Sequence, residues 1–141
     1  MSYVSTFIYC LNTTKEQSEA GESINALGVL TALTPDFIPG SFSFSVIFSV
    51  MDIDDRDSHE IKLVFSNCAG NELVNTGVIN IPKIEDKNAI DLPKEVSGLI
   101  MSLDLRNVTF LKEGYYCTTV WFDGDKLGEY KIYVKGKIRN E

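Results

Sequence analysis

The stretch Ser41-Phe42-Ser43-Phe44-Ser45-Val46-Ile47-Phe48-Ser49-Val50 decides the fold. Phe42, Phe44, Val46, Phe48 and Val50 share one parity, and Ser41, Ser43, Ser45 and Ser49 the other. Side chains of an extended chain alternate between its two faces. The run therefore reads as a strand with one face in a core and one face wet or covered by small contacts. No segment sustains the 3.6-residue period of a helix.

Outward from this strand, the same alternation predicts strands at 3–11 (Val4 to Leu11), 24–33, 60–67, 72–81, 98–105, 115–122 and 128–135. Gly28 interrupts the second and predicts a bulge or kink. Ile61, Leu63 and Phe65 point inward, and Leu99, Met101, Leu103 and Leu105 share a face opposite Ile100, Ser102 and Asp104. The connections carry turn chemistry: Thr34-Pro35-Asp36 through Pro39-Gly40, the stretch around Gly70, a polar segment at 82–95, and Asp123-Gly124-Asp125-Lys126. Eight short strands of this kind predict an all-β, two-sheet antiparallel sandwich, immunoglobulin-like or C2-like. One domain over 1–136 is expected, with a frayed tail at 137–141.

Composition excludes several classes. With 141 residues, 44% apolar and 23% charged, the chain is neither disordered nor collagen-like nor a coiled coil. No apolar run is long enough to span a bilayer. The formal charge of −7 argues against direct nucleic-acid binding, which needs a basic face. Cys10, Cys68 and Cys117 are odd in number and form no CxxC, so free thiols in a reducing compartment are expected. Met1-Ser2-Tyr3-Val4 lacks the basic start of a signal peptide. Cytoplasmic residence, in a bacterial or infected host cell, is the expectation.

Catalytic motifs are missing. His59 is the single histidine and follows the acidic run Asp52-Ile53-Asp54-Asp55-Arg56-Asp57-Ser58. No GxSxG, HExxH, GxxxxGK[ST] or GxGxxG occurs. His59 reads as a surface residue, its replacement by Ala is expected to be silent, and no enzyme and no cofactor are predicted.

The segment Glu113-Gly114-Tyr115-Tyr116-Cys117-Thr118 resembles the tyrosine corner of immunoglobulin-like sandwiches, with Gly114 and Tyr116 in the pattern. The cysteine that follows two residues later in antibody domains is replaced by Thr118, so no inter-sheet disulfide is implied. Residues 37–45 (Phe-Ile-Pro-Gly-Ser-Phe-Ser-Phe-Ser) together with 114–134 are similar to small bacterial β-sandwich proteins of unassigned function. That resemblance implies a fold and no activity.

Two surfaces stand out as partner-binding candidates. If Tyr116, Val120 and Phe122 face the core, Tyr115, Cys117, Thr119 and Trp121 face away. On the return strand Tyr130, Ile132 and Val134 form one set, and Glu129, Lys131, Tyr133 and Lys135 the other. Matching the two requires an odd-numbered, glycine-bearing loop. The outward face then carries Tyr115, Trp121 and Tyr133 beside Lys131, a surface suited to a protein partner, including a second copy of the chain.

Strict alternation of strand direction would bring loops 12–23, 52–58, 82–95 and 123–127 to one end. Thirteen of the twenty acidic residues, against six bases, lie in these loops and account for the whole formal charge. Asp54, Asp55, Asp57, Asp123 and Asp125 are candidates to dock a basic partner. Such a pole fits a phage-encoded inhibitor of a host nucleic-acid-handling defence complex. Asp52, Asp54, Asp57, Asp123 and Asp125 are also the residues a calcium-binding, C2-like sandwich would use, although Arg56 sits among them. The function expected is a non-catalytic protein-interaction module. A phage or viral assembly component is the alternative structural role.

Overall fold

In the structure, a computed structural model that describes residues 1–18, 21–54, 57–82, 93 and 97–137, the Ser/Phe run lies inside a sheet with neighbours on both sides. The described strands are β1 (Tyr3–Ser18), β2 (Gly21–Leu30), β3 (Ala32–Leu33), β4 (Gly40–Met51), β5 (His59–Ser66), β6 (Glu72–Asn75), β7 (Ile79–Ile81), β8 (Gly98–Phe110), β9 (Gly114–Phe122) and β10 (Asp125–Val134). One sheet has the order β2-β1-β4-β8. The other has the order β3-β10-β9-β5-β6, with β7 also on β5. Pairing is antiparallel except between β3 and β10. The neighbours β4–β8 and the trio β5-β9-β10 reproduce the B–E and C-F-G pairings of the immunoglobulin sandwich.

The core lies between the sheets. Phe44, Val46, Phe48 and Val50 of β4 meet Ile61, Leu63 and Phe65 of β5 and Tyr116, Val120 and Phe122 of β9, all buried. Phe65 is the junction, with ring centroids 5.3 Å from Phe44, 6.0 Å from Phe110 and 5.8 Å from Tyr116. The resemblance at 113–118 is a real tyrosine corner: Tyr116 Oη donates to the Lys112 carbonyl at 2.8 Å. Thr118 fills the place of the absent cysteine and is 1% exposed. Its hydroxyl lies 2.7 Å from Tyr9 Oη, which donates to the Tyr130 carbonyl at 2.7 Å. Thr118 therefore donates to Tyr9, and the two sheets are joined by hydrogen bonds at this point.

Several boundaries differ from the sequence reading, each for a local reason. Residues 24–33 form two strands in different sheets. Gly28, at φ +69°, kinks β2 against Leu11, but pairing resumes in the same register, so there is no bulge. β1 runs on to Ser18 as one arm of a hairpin with β2. Gly77 (φ +68°) divides 72–81 into β6 and β7, both on β5. β8 continues past Leu105 because a bulge at Arg106–Asn107, with Asn107 at φ +53°, shifts parity and turns Val108 and Phe110 inward. The β9–β10 loop has two residues, Asp123 and Gly124, both at positive φ as a type I′ turn requires. The predicted change of parity comes instead from a bulge at Leu127.

The cysteine expectation is corrected. Cys68, in the turn after β5, is bonded to Cys117 on β9, with Cα atoms 5.3 Å apart. Odd cysteine number concealed a pair because the third thiol, Cys10, is buried and free on β1. The bond ties the β5–β6 turn to β9 within the second sheet and does not cross the sandwich. At the C-terminal end Lys137 is held by its N–H to the Pro35 carbonyl at 2.9 Å, and the rest of the expected tail lies outside the described residues. Among the described residues no helix is long and apolar enough to cross a membrane.

Candidate functional site

The outward face of the second sheet is set by the β9–β10 register. Tyr133 pairs with Tyr115, Lys131 with Cys117, Glu129 with Thr119 and Lys126 with Trp121. On the other flank Lys62 pairs with Trp121, Val64 with Thr119 and Ser66 with Cys117. Tyr115 is 61% exposed and Tyr133 39%, and their rings meet edge to face at 5.1 Å and 84°. Lys62 Nζ lies over the Trp121 ring, 5.2 Å from its centroid, so Trp121 is half-buried. The structure thus brings Tyr115, Tyr133 and Lys131 together in the open, with Trp121 on the same face under a cation.

Beside Tyr115 a cleft of about 580 Å³ opens between the turn after β5 and the β8–β9 connection. Leu73, Leu111, Lys112, Glu113 and Tyr115 line it with Asn67, Asn71 and Glu72. Leu111 is 69% exposed. Sequence reasoning missed this cleft, whose walls are 40 residues apart in the chain and meet through β5–β9 pairing. The adjacent turn, Leu111 to Gly114, was the available signal.

The acidic pole forms in part. His59 Nδ1 lies 2.6 Å from Asp123 Oδ2, and Nε2 lies 2.5 Å from the Asp54 carbonyl. These contacts join the β4–β5 connection to the β9–β10 turn. The Asp52 N–H donates to the Ser97 carbonyl, so the approach to β8 reaches the same end. Loop 12–23 does not. β1 and β4 are antiparallel, and β3 adds a crossing that strict alternation did not count, so the β1–β2 hairpin points to the opposite end. Residues 12–17 are strand and not loop. Asp55 lies outside the described residues, as does most of 82–95.

Chemistry at the pole is largely consumed by structure. Asp123 Oδ1 accepts the Glu60 N–H at 2.8 Å while Oδ2 faces His59, so both its oxygens serve the turn. Asp52 Oδ2 lies 2.5 Å from the Met1 ammonium. Asp57 and Asp125 are exposed. The calcium candidates do not converge: among the described residues the one group with metal-ligand spacing is Cys68, Cys117 and Glu129, two of them spent on the disulfide. His59 is corrected from surface to built-in residue, its side chain 12% exposed and stacked on Phe122 at 5.1 Å. Burial pulls its pKa down, but the Asp54 carbonyl, the Asp123 carboxylate and the charge of Asp57 outweigh that and hold it above the ordinary value.

Against this geometry, the model of a family of unknown function, DUF6941, matches residues 14–135. The chain belongs to this family. The expected likeness to a small β-sandwich of unassigned function is thereby met. An immunoglobulin-like protein from Pseudomonas aeruginosa is similar in structure, at 13% identity and a TM-score of 0.40, covering 96% of this chain and 97% of that one. No curated protein matches. The immunoglobulin-like architecture of this DUF6941 member rests on its own strand order and on the Tyr116 corner.

Proposed function

We propose that the protein is a non-catalytic interaction module that docks a protein partner on the outward face of β9–β10 and the neighbouring cleft. One observation carries the reading: Tyr115 and Tyr133 stand exposed in mutual contact next to Lys131, at the rim of a cleft with apolar and charged walls. Aromatic side chains bury much area at small entropic cost, and such residues dominate binding energy. Photo-crosslinking from positions 131 and 133, on the same face, in extracts of the native host tests the reading. A defined partner is expected, lost on Tyr115→Ala and retained at 0.5 M salt (a Debye length shortened to about 4 Å screens charges and leaves an apolar contact intact). A partner insensitive to Tyr115→Ala sinks it.

A second reading, docking of a basic partner at the acidic pole, is favoured by the gathering of Asp54, Asp57, Asp123 and Asp125 around the His59 link. An inhibitor of a nucleic-acid-handling complex belongs here. It predicts the reverse behaviour: binding that weakens steeply with salt and on Asp57→Asn. Cytoplasmic residence stays part of the proposal, and it implies that the Cys68–Cys117 bond forms and breaks there instead of persisting.

A further inference from the structure

We propose that Cys68–Cys117 is a site of reversible thiol–disulfide exchange that sets the shape of the cleft beside Tyr115; the proposal rests on reading that face as the docking surface. The two cysteines differ in exposure. Cys68 is exposed in its turn, whereas Cys117 is fully buried on β9. A thiolate in solution therefore reaches Cys68. The attack forms a bond to Cys68 Sγ, breaks the bond to Cys117, and Cys117 leaves as a thiolate. With a dithiol as reductant, its second thiol then attacks the mixed disulfide and releases Cys68. The dithiol becomes a disulfide, two electrons pass to the protein, and its two protons finish on Cys68 and Cys117. Lys131 is the cross-strand partner of Cys117 on the same face, and the Glu129 carboxylate, within 4.8 Å of both sulfurs, is engaged by Lys126 Nζ at 3.0 Å, which offsets its repulsion of the departing thiolate.

The consequence falls on the cleft because Cys68 belongs to the turn whose other residues form one of its walls. Asn67, Asn71 and Glu72, on either side of Cys68, line the cleft. The turn holds itself together: Asn67 Oδ1 accepts the N–H groups of Ala69 and Asn71 at 2.9 and 3.1 Å, and the Asn67 N–H donates to the Asn71 carbonyl at 3.1 Å. It is thus a self-consistent unit whose covalent tie to β9 is Cys68, a residue at φ +64°. The β5–β9 ladder reaches Ser66–Cys117 through backbone pairing that is separate from the disulfide. Reduction frees the turn to swing about its junctions with β5 and β6, away from Leu111 and Tyr115, without unfolding the sandwich.

Treatment of the intact protein with millimolar dithiothreitol, then alkylation and peptide mass spectrometry, is the first test. Modification of Cys68 and Cys117 in the folded protein is expected, with Cys10 protected. Hydrogen exchange over 67–73 should then rise by about tenfold or more while β1 and β4 are unchanged. Amide resonances of Thr109 and of Leu111 to Tyr115, across the cleft, should shift. The variant C68S/C117S should reproduce the reduced pattern, and alkylated wild-type protein gives the same readout where that variant does not fold. Reduction that occurs only with global unfolding overturns the proposal, as does reduction that leaves 67–73 and the cleft resonances unmoved. Loss of partner crosslinking on Tyr115→Ala in the oxidised protein is separate from these readouts, so failure of the docking reading and failure of the exchange site are distinguishable.

Discussion

Tyr9, Thr118 and Phe65 show how single residues hold the two sheets. Tyr9 Oη satisfies Thr118 and the Tyr130 carbonyl together, and burial pushes its own ionisation well above the usual tyrosine range. Tyr9→Phe leaves two partners unsatisfied and is expected to cost about 1–3 kcal/mol in chemical denaturation. A double-mutant cycle with Thr118→Val should show a coupling between them. Phe65→Ala opens a cavity at the meeting point of three rings and should cost about 3–5 kcal/mol.

His59 belongs to the same scale. Both its ring nitrogens face acceptors, so only the imidazolium satisfies both. Its folded pKa lies above the unfolded value of 6.5. The stability it contributes is fully present below that unfolded value and is lost as pH rises through the folded one. Melting temperature should therefore fall as pH rises out of the weakly acidic range, and His59→Gln should flatten the profile. An unchanged profile in that variant would remove His59 as the titrating group. His59→Ala, expected from sequence to be silent, is expected instead to loosen the link between Asp54 and Asp123.

At the scale of elements, pairing geometry leaves little room at Gly98. A Cβ there would strike the Val50 carbonyl and Met51 across the β4–β8 ladder. Gly98→Ala should cost about 1–3 kcal/mol through overpacking, with hydrogen exchange rising at the Gly98 end of β8 and not in β9. The bulges at Arg106–Asn107 and Leu127 re-aim the strands that follow them. They could be suspected from broken parity, since Leu105 and Val108 cannot both point inward in an unbroken strand. Their placement needed the partner strand.

For the whole molecule, Asp52, Asp54, Asp57, Asp123 and Asp125 share one end among the described residues, while the β1–β2 hairpin that the loop count assigned to that end points away from it. Asp123 is occupied by His59 and Glu60, and the remaining pole aspartates do not converge as ligands among the described residues. A melt in EDTA and again in millimolar calcium, with magnesium as control, should show no calcium-specific rise. A filled site would raise the midpoint by several degrees for a domain of this size.

The sequence by itself determined the all-β class, the inward sets on β4, β5 and β9, and the tyrosine corner at Tyr116, because alternation and turn chemistry are local properties written in adjacent residues. It also singled out Tyr115, Tyr133 and Lys131 as one face, since parity alone orders them. Tertiary structure decided the rest. Whether Cys68 meets Cys117, whether His59 meets Asp123, which loops share an end and where the cleft opens all depend on which strands pair. Pairing is settled by long-range burial between residues far apart in the chain, and no local pattern encodes that choice.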